Sequence, residues 1–152
     1  MSEKATATDA ELILKLYDMR REAEMRKARS WFLSFWPESS DDYLKVGMAM
    51  GTQENAWLRQ VTSYWEMVGS LVLHGAINRD LFLEPSISAE MFVVYCKIEP
   101  FLKDLREKMK SPTAFSNIEK VVNSNKETVE RLKGMQERMA AFRKMAHTAK
   151  AS

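Results

Sequence analysis

Residues 57–82 read WLRQVTSYWEMVGSLVLHGAINRDLF, and this stretch decides the fold. Trp57, Val61, Tyr64, Trp65, Val68, Leu71 and Val72 recur at the spacing that gathers side chains on one face of an α-helix. Arg59, Ser63, Glu66 and Ser70 fall on the opposite face. His74-Gly75 then closes the helix, because glycine tolerates a left-handed cap and a histidine there can face the negative end of the helix dipole. The pattern is a packing signal, and no motif in the chain names a reaction.

Toward the N-terminus, Thr8 and Glu11 have the spacing of a capping box, which predicts a helix starting at Thr8. Leu12, Leu16, Met19 and Ala23 form a narrow stripe that turns polar at Arg26 and Ser30. A single long helix over 9–36 is expected, burying only its first half well. It ends in WFLSFW, Trp31 to Trp36, stopped by Pro37, with aromatic rings around its whole circumference. Either this end is sandwiched in the core, or one side is a docking patch or membrane-surface anchor flanked by Arg26, Lys27 and Arg29. The acidic, serine-bearing turn at Glu38–Asp42 suits the start of a second helix over about 41–50, weakened by Gly47 and Gly51. Thr52 can cap the helix that carries the Trp57 stripe.

Toward the C-terminus, Asn78 can cap a short turn holding Leu81, Phe82 and Leu83, ended by Pro85 and Ser86. Ser88 starts the next expected helix, with Met91, Val94, Tyr95, Ile98, Phe101, Leu102, Leu105 and Met109 on one stripe. Pro100 faces solvent and predicts a bend near Cys96–Glu99. Ser111-Pro112 reads as a cap followed by a first-turn proline, opening a long helix over 112–147. Ile118, Val121, Asn125, Thr128, Leu132, Met135, Met139, Phe142 and Ala146 form a heptad seam on it, and Asn123-Ser124-Asn125 is where it could break. Arg131, Arg138 and Arg143 flank the seam and disfavour pairing with an identical helix. The seam therefore packs on this chain's own helices or on an acidic partner.

Composition bounds the reading. The chain has 152 residues, enough for one domain with a sizeable core. Five glycines and four prolines favour long helices over a turn-rich β architecture, and no alternating β-branched run offers a strand. The single cysteine, Cys96, rules out an internal disulfide framework and suits a reducing compartment. Residues 1–11 lack the apolar core of a signal peptide, and no apolar run approaches the roughly 20 residues needed to span a bilayer. The net charge of +2 is unevenly spread: residues 38–99 hold four basic and nine acidic side chains, residues 100–152 twelve basic and six acidic. Two helical layers that attract each other, within one chain or across a dimer, account for this. A nucleic-acid surface is disfavoured because acidic residues interleave the basic half.

The search for chemistry is short. His74 and His147 each lack a second ligand at helical spacing, so a conventional metal site is not expected. Gly-rich phosphate loops and a nucleophile elbow are missing from the sequence. Glu66 and Glu99 could pair with Arg59 or Arg106 as ordinary surface carboxylates. Glu66 and His74 are two turns apart and face different directions, so they do not form a pair. Cys96 lies off the stripe with no histidine near it and reads as structural.

Between Tyr64 and Val122 the chain resembles a family of small bacterial all-helical proteins of unknown function. The residues that carry the resemblance are YWEMVGSLVLHGAINRDLF, followed by a proline-broken helix ending IEPFLKDLRE. The resemblance implies an all-helical fold and no activity. Members often carry an N-terminal membrane-spanning helix, and this chain departs from them there.

The sequence thus predicts one all-α domain over 1–152, a bundle of five or six helices with long N- and C-terminal helices, with 1–7 disordered and 148–152 frayed. A cytoplasmic interaction or self-associating module, a homodimer or a partner-binding protein without catalysis, is the first functional reading. Its candidate surface is Trp31, Phe32, Phe35, Trp36, Leu132, Met135, Met139 and Phe142. The alternative is a small-ligand-binding protein or enzyme with a pocket lined by Trp57, Trp65 and Tyr95. No cofactor and no nucleic-acid partner are expected.

Overall fold

The computed structural model describes residues 3–151, and every regular element among them is helical. There are nine α-helical segments in this range rather than five or six. They are α1 (Ala7–Arg20), α2 (Ala23–Ser34), α3 (Ser40–Gly47), α4 (Gln53–Leu73), α5 (Arg79–Phe82), α6 (Pro85–Ile98), α7 (Leu102–Met109), α8 (Ser116–Val122) and α9 (Lys126–Ala151). The segment α5 is a single turn. No helix among the described residues is long and apolar enough to cross a membrane.

The helix α4 is the centre. Val61, Trp65, Val68 and Val72 are all buried, and α2, α3 and α8 pack against it. Gly69 lets α8 come close: a Cβ there would lie 3.1 Å from the backbone carbonyl carbon of Asn117. Thr52 caps α4 as expected, accepting from the Asn55 amide at 3.2 Å. The helix ends at Leu73, with His74 at the cap and Gly75 at φ 76°.

The expected helix over 9–36 is two helices. Glu22 interrupts it, because its carboxylate accepts from the Met25 amide at 2.9 Å and starts α2 afresh. The cap of α1 is Thr6, not Thr8: Thr6 and Asp9 satisfy each other's backbone N–H groups reciprocally. Its buried face is turned by one residue from the predicted stripe. Ile13 is 9% exposed, whereas Leu12 and Met19 are 36% and 46% exposed. The reason is polar: Asp9 and Arg20, which share Ile13's face, bond to the cap of α5 and to α6. The start of the helix at Ala7 falls inside the segment expected to be disordered, of which residues 1 and 2 lie outside the described residues. Residues 148–151 are helical, and residue 152 lies outside the described residues.

Other boundaries also moved. The helix α2 stops at Ser34, so Phe35 and Trp36 lie beyond it. Pro85 opens α6 at its first position instead of ending the preceding turn, as suits a ring with fixed φ and no N–H. Around the solvent-exposed Pro100 the chain forms a 3-10 turn, Glu99–Phe101, and restarts as α7. Cys96 is buried, and burial, then the charge of Glu99, pushes its thiol up to about 12. The helix expected over 112–147 resolves into a turn over 112–115, α8 and α9. Phe115, at φ 60°, precedes α8 where Ser111-Pro112 was expected to start it. The break at 123–125 falls where the sequence allowed it, and Asn125 accepts from the Thr128 amide at 2.8 Å to begin α9. The seam is buried at Ile118, Val121, Thr128 and Leu132, half-buried at Met135 and Met139, and Phe142 is 52% exposed. The seam helix α9 lies along α6.

Donors borrowed from elsewhere in the chain serve the carbonyls at several helix ends. Asn55 gives both amide hydrogens to Val46 and Gly47 at the end of α3, at 3.0 and 2.9 Å. Arg131 of α9 donates to the Leu83 carbonyl after α5 at 2.9 Å, and Arg143 to the Lys97 carbonyl near the end of α6 at 3.1 Å. Lys97, 1% exposed, reaches the end of α2. Its Nζ donates to the carbonyls of Phe32, Leu33 and Phe35 at 2.6, 3.0 and 2.9 Å. The same ammonium lies 4.1 Å from the Trp36 ring centre and 5.0 Å from that of Phe32. Desolvation, then the positive charge of Arg143, pulls its pKa down to about 7. Three carbonyls match the three donors of the ammonium, and the negative end of α2 favours its charge.

Candidate functional site

The candidate site is a cavity along α1. Polar ties hold that helix more than apolar burial does. The Asp9 carboxylate accepts from the Asn78 amide at 2.7 Å, and the Asn78 side chain donates to the Glu3 carbonyl at 2.7 Å. In the middle, the Tyr64 hydroxyl donates to the Leu16 carbonyl at 2.6 Å. At the far end, Arg20 Nη2 donates to Glu90 Oε2 at 3.0 Å. Between these ties runs a cavity of about 310 Å³. Ala10, Ile13, Leu14, Leu16, Tyr17 and Arg20 form its α1 wall, Tyr64, Trp65 and Val68 come from α4, and Leu81, Phe82, Ser86 and Ile87 close it from α5 and α6. From Ala10 to Arg20 the α1 wall is about 15 Å long at the helical rise.

A charge cluster closes the Arg20 end. Glu90 accepts from Arg29 Nε and Nη2, with a shortest contact of 2.7 Å, from Arg20 Nη2, and from Trp65 Nε1 at 3.1 Å. Burial works to raise the Glu90 pKa, but the Arg29 hydrogen bonds and the charges of both arginines outweigh it and hold it below the usual range. The carboxylate is ionised and its acceptor sites are filled. Arg29 is raised in turn, chiefly by its bond to Glu90. Burial pushes Tyr64 up to about 12, so it stays a neutral donor. The Arg20 guanidinium stands 5.2 Å from the Trp65 ring centre and 5.3 Å from that of Tyr17. Its Nε is buried and, among the described residues, has no hydrogen-bond partner.

A second groove, of about 600 Å³, lies between α3, α4 and the turn before α8. Its rim includes Met48 and Met109, 72% and 43% exposed. Two polar groups on it are engaged: Arg59 Nε donates to Asn55, and Glu66 Oε1 accepts from the Ile118 amide at 3.0 Å. Neither pairs as the sequence suggested, and Arg106 pairs with Glu119 at 3.2 Å. No group of three or more potential metal ligands is found among the described residues.

The predicted pocket residues do not meet at one place. Trp65 lines the α1 cavity, whereas Trp57 packs at 6.3 Å from Trp31 and Tyr95 donates to Glu119 at 3.3 Å. Of the predicted surface, Phe32 and Leu132 are core residues, 2% and 5% exposed. Trp31, Phe35 and Trp36 are half-buried, and Trp31 stacks on Phe35 at 4.8 Å. The arginine–glutamate cluster was missed. Arg20, Arg29 and Glu90 are ordinary polar residues at helical positions, and no local spacing links positions 61 and 70 residues apart. The one available signal was that Arg20 falls on the face of α1 occupied by Ile13 and Leu16.

An all-helical fold around a central hydrophobic helix, with an apolar cavity beside a saturated carboxylate, defines a helical domain with a pocket. The chain belongs to the family described as Domain of unknown function (DUF4760), which matches residues 5–125. No curated protein matches the chain. No solved structure matches it either.

Proposed function

We propose that this domain is a binding module that takes a small apolar molecule in the cavity along α1. One observation carries the reading: a cavity of about 310 Å³, walled by aliphatic and aromatic side chains, whose size falls in the range of small-molecule sites. Such sites combine an apolar body with few polar groups, and Arg20, Tyr64 and Ser86 supply them here. Titration with an environment-sensitive apolar dye should give saturable binding of one dye per chain. Ile87→Phe, which places a ring in the cavity wall, should weaken that binding at least about tenfold while leaving the fold intact by circular dichroism. Unsaturable binding, or binding indifferent to Ile87→Phe, rejects the reading.

A second reading, self-association or docking of a protein partner, is favoured by exposed apolar side chains. Leu14 and Tyr17 on α1 are 66% and 54% exposed, and Phe142 and Met145 on α9 are 52% and 66% exposed. Light scattering at tens of micromolar tests the homodimer: a monomer mass rejects it.

A further inference from the structure

We infer that the ligand of the α1 cavity is an aliphatic carboxylate whose head group is received by Arg20. This rests on the cavity being a ligand site and names what the site selects. Three observations converge. The first is charge. Two guanidinium groups, Arg20 and Arg29, face one carboxylate, Glu90, and the other groups recorded around them, Trp65, Tyr17 and Tyr64, carry none. The cluster holds a surplus positive charge at the edge of a low-dielectric cavity, and a single added anion neutralises it. The second is a vacant donor. Arg20 lines the cavity, and among the described residues its guanidinium donates only through Nη2, to Glu90, which leaves Nη1 without an acceptor. A guanidinium N–H without a protein acceptor is free to donate to an anion that arrives with the ligand. Glu90 cannot supply the acceptor, because Arg29, Trp65 and Arg20 Nη2 already occupy its oxygens. The third is shape. The α1 wall is about 15 Å long and offers Ala10, Ile13, Leu14 and Leu16 along most of it, with the guanidinium at its last residue. An elongated apolar body with one anionic end fits that order, and a cation or a compact polar molecule does not. The larger groove lacks this combination, since its lining holds one arginine, Arg59, and one carboxylate, Glu66, and carries no surplus charge.

The test compares ligands of equal chain length and different heads. Decanoate, decanol and decyltrimethylammonium are titrated below their micellar concentrations by calorimetry, using the full chain. Decanoate should bind at least about tenfold more tightly than decanol, and the cation should bind weakest. In nitrogen-labelled protein, the Arg20 Nε–H resonance should move with decanoate and not with decanol, a readout that needs no variant. Arg20→Met should bring decanoate down to the affinity of decanol. If that variant loses its fold, the wild-type resonance and the head-group order still decide. Equal binding of decanoate and decanol overturns the carboxylate assignment and leaves the apolar site standing. A preference for the cation overturns it too. Failure of all three to bind rejects the site together with its ligand class.

Discussion

Trp65 joins the two halves of the candidate site, since its ring lines the cavity and its Nε1 donates to Glu90 at 3.1 Å. At 2% exposure, Trp65→Ala removes a large buried ring, opens the cavity into the core and takes a donor from a half-buried carboxylate. The expected loss is about 3–5 kcal/mol, read as a lower midpoint in urea denaturation. Lys97 makes a different kind of prediction. Its folded pKa of about 7 lies below the ordinary value of 10.5, so between these values the unfolded chain binds more protons than the folded one. Stability contributed by this group is therefore lowest below about 7 and rises with pH above it. The window to use is pH 7 to 9. Above it Cys96, raised to about 12 by burial, works in the opposite direction. Lys97→Met should flatten the pH dependence in that window. It should also destabilise the fold by about 2–4 kcal/mol, because three carbonyls at the end of α2 lose their donor. An unchanged pH slope in Lys97→Met would show that Lys97 does not titrate there.

Among the elements, α4 and α8 meet at the closest approach in the bundle that a glycine permits. Alanine is the better helix former by about 1 kcal/mol, so an isolated helix would gain from Gly69→Ala. In this fold the new Cβ would sit 3.1 Å from both the backbone carbonyl carbon and the Cβ of Asn117, and α8 must give way. Gly69→Ala is expected to destabilise by about 1–3 kcal/mol, and a raised melting temperature would show that α8 shifts without loss. The same element marks what could be read in advance. The Trp57–Val72 stripe, the Thr52 and Asn78 caps, the stop at Gly75 and the break near Asn125 were legible, because each is set by residues within a turn of one another. The split of the first helix was not, because Glu22 caps through its own carboxylate, a role its residue type does not advertise. The α1 face was misjudged because it is chosen by partners far away in sequence, Asn78 and Glu90. The cavity follows from that misjudged face, so of its lining only Trp65 had been singled out as a pocket residue.

The whole molecule is held by exchanges between distant helices, and α9 takes part in them. It lies beyond the region matched by the family, yet Arg131 serves the Leu83 carbonyl and the Ser88 hydroxyl, and Arg143 the Lys97 carbonyl. The Arg131 guanidinium also covers the Phe92 ring at 3.9 Å, and Thr128 and Leu132 are buried. A chain ending at residue 125 should lose at least about 3 kcal/mol and melt several degrees lower. The stretch matched by the family ends at residue 125, while α9 beyond it packs on α6. Residues 126–151, offered as a separate peptide to the shortened chain, should move into the vacant berth and restore its melting temperature, making the C-terminal helix a detachable tenant of the domain.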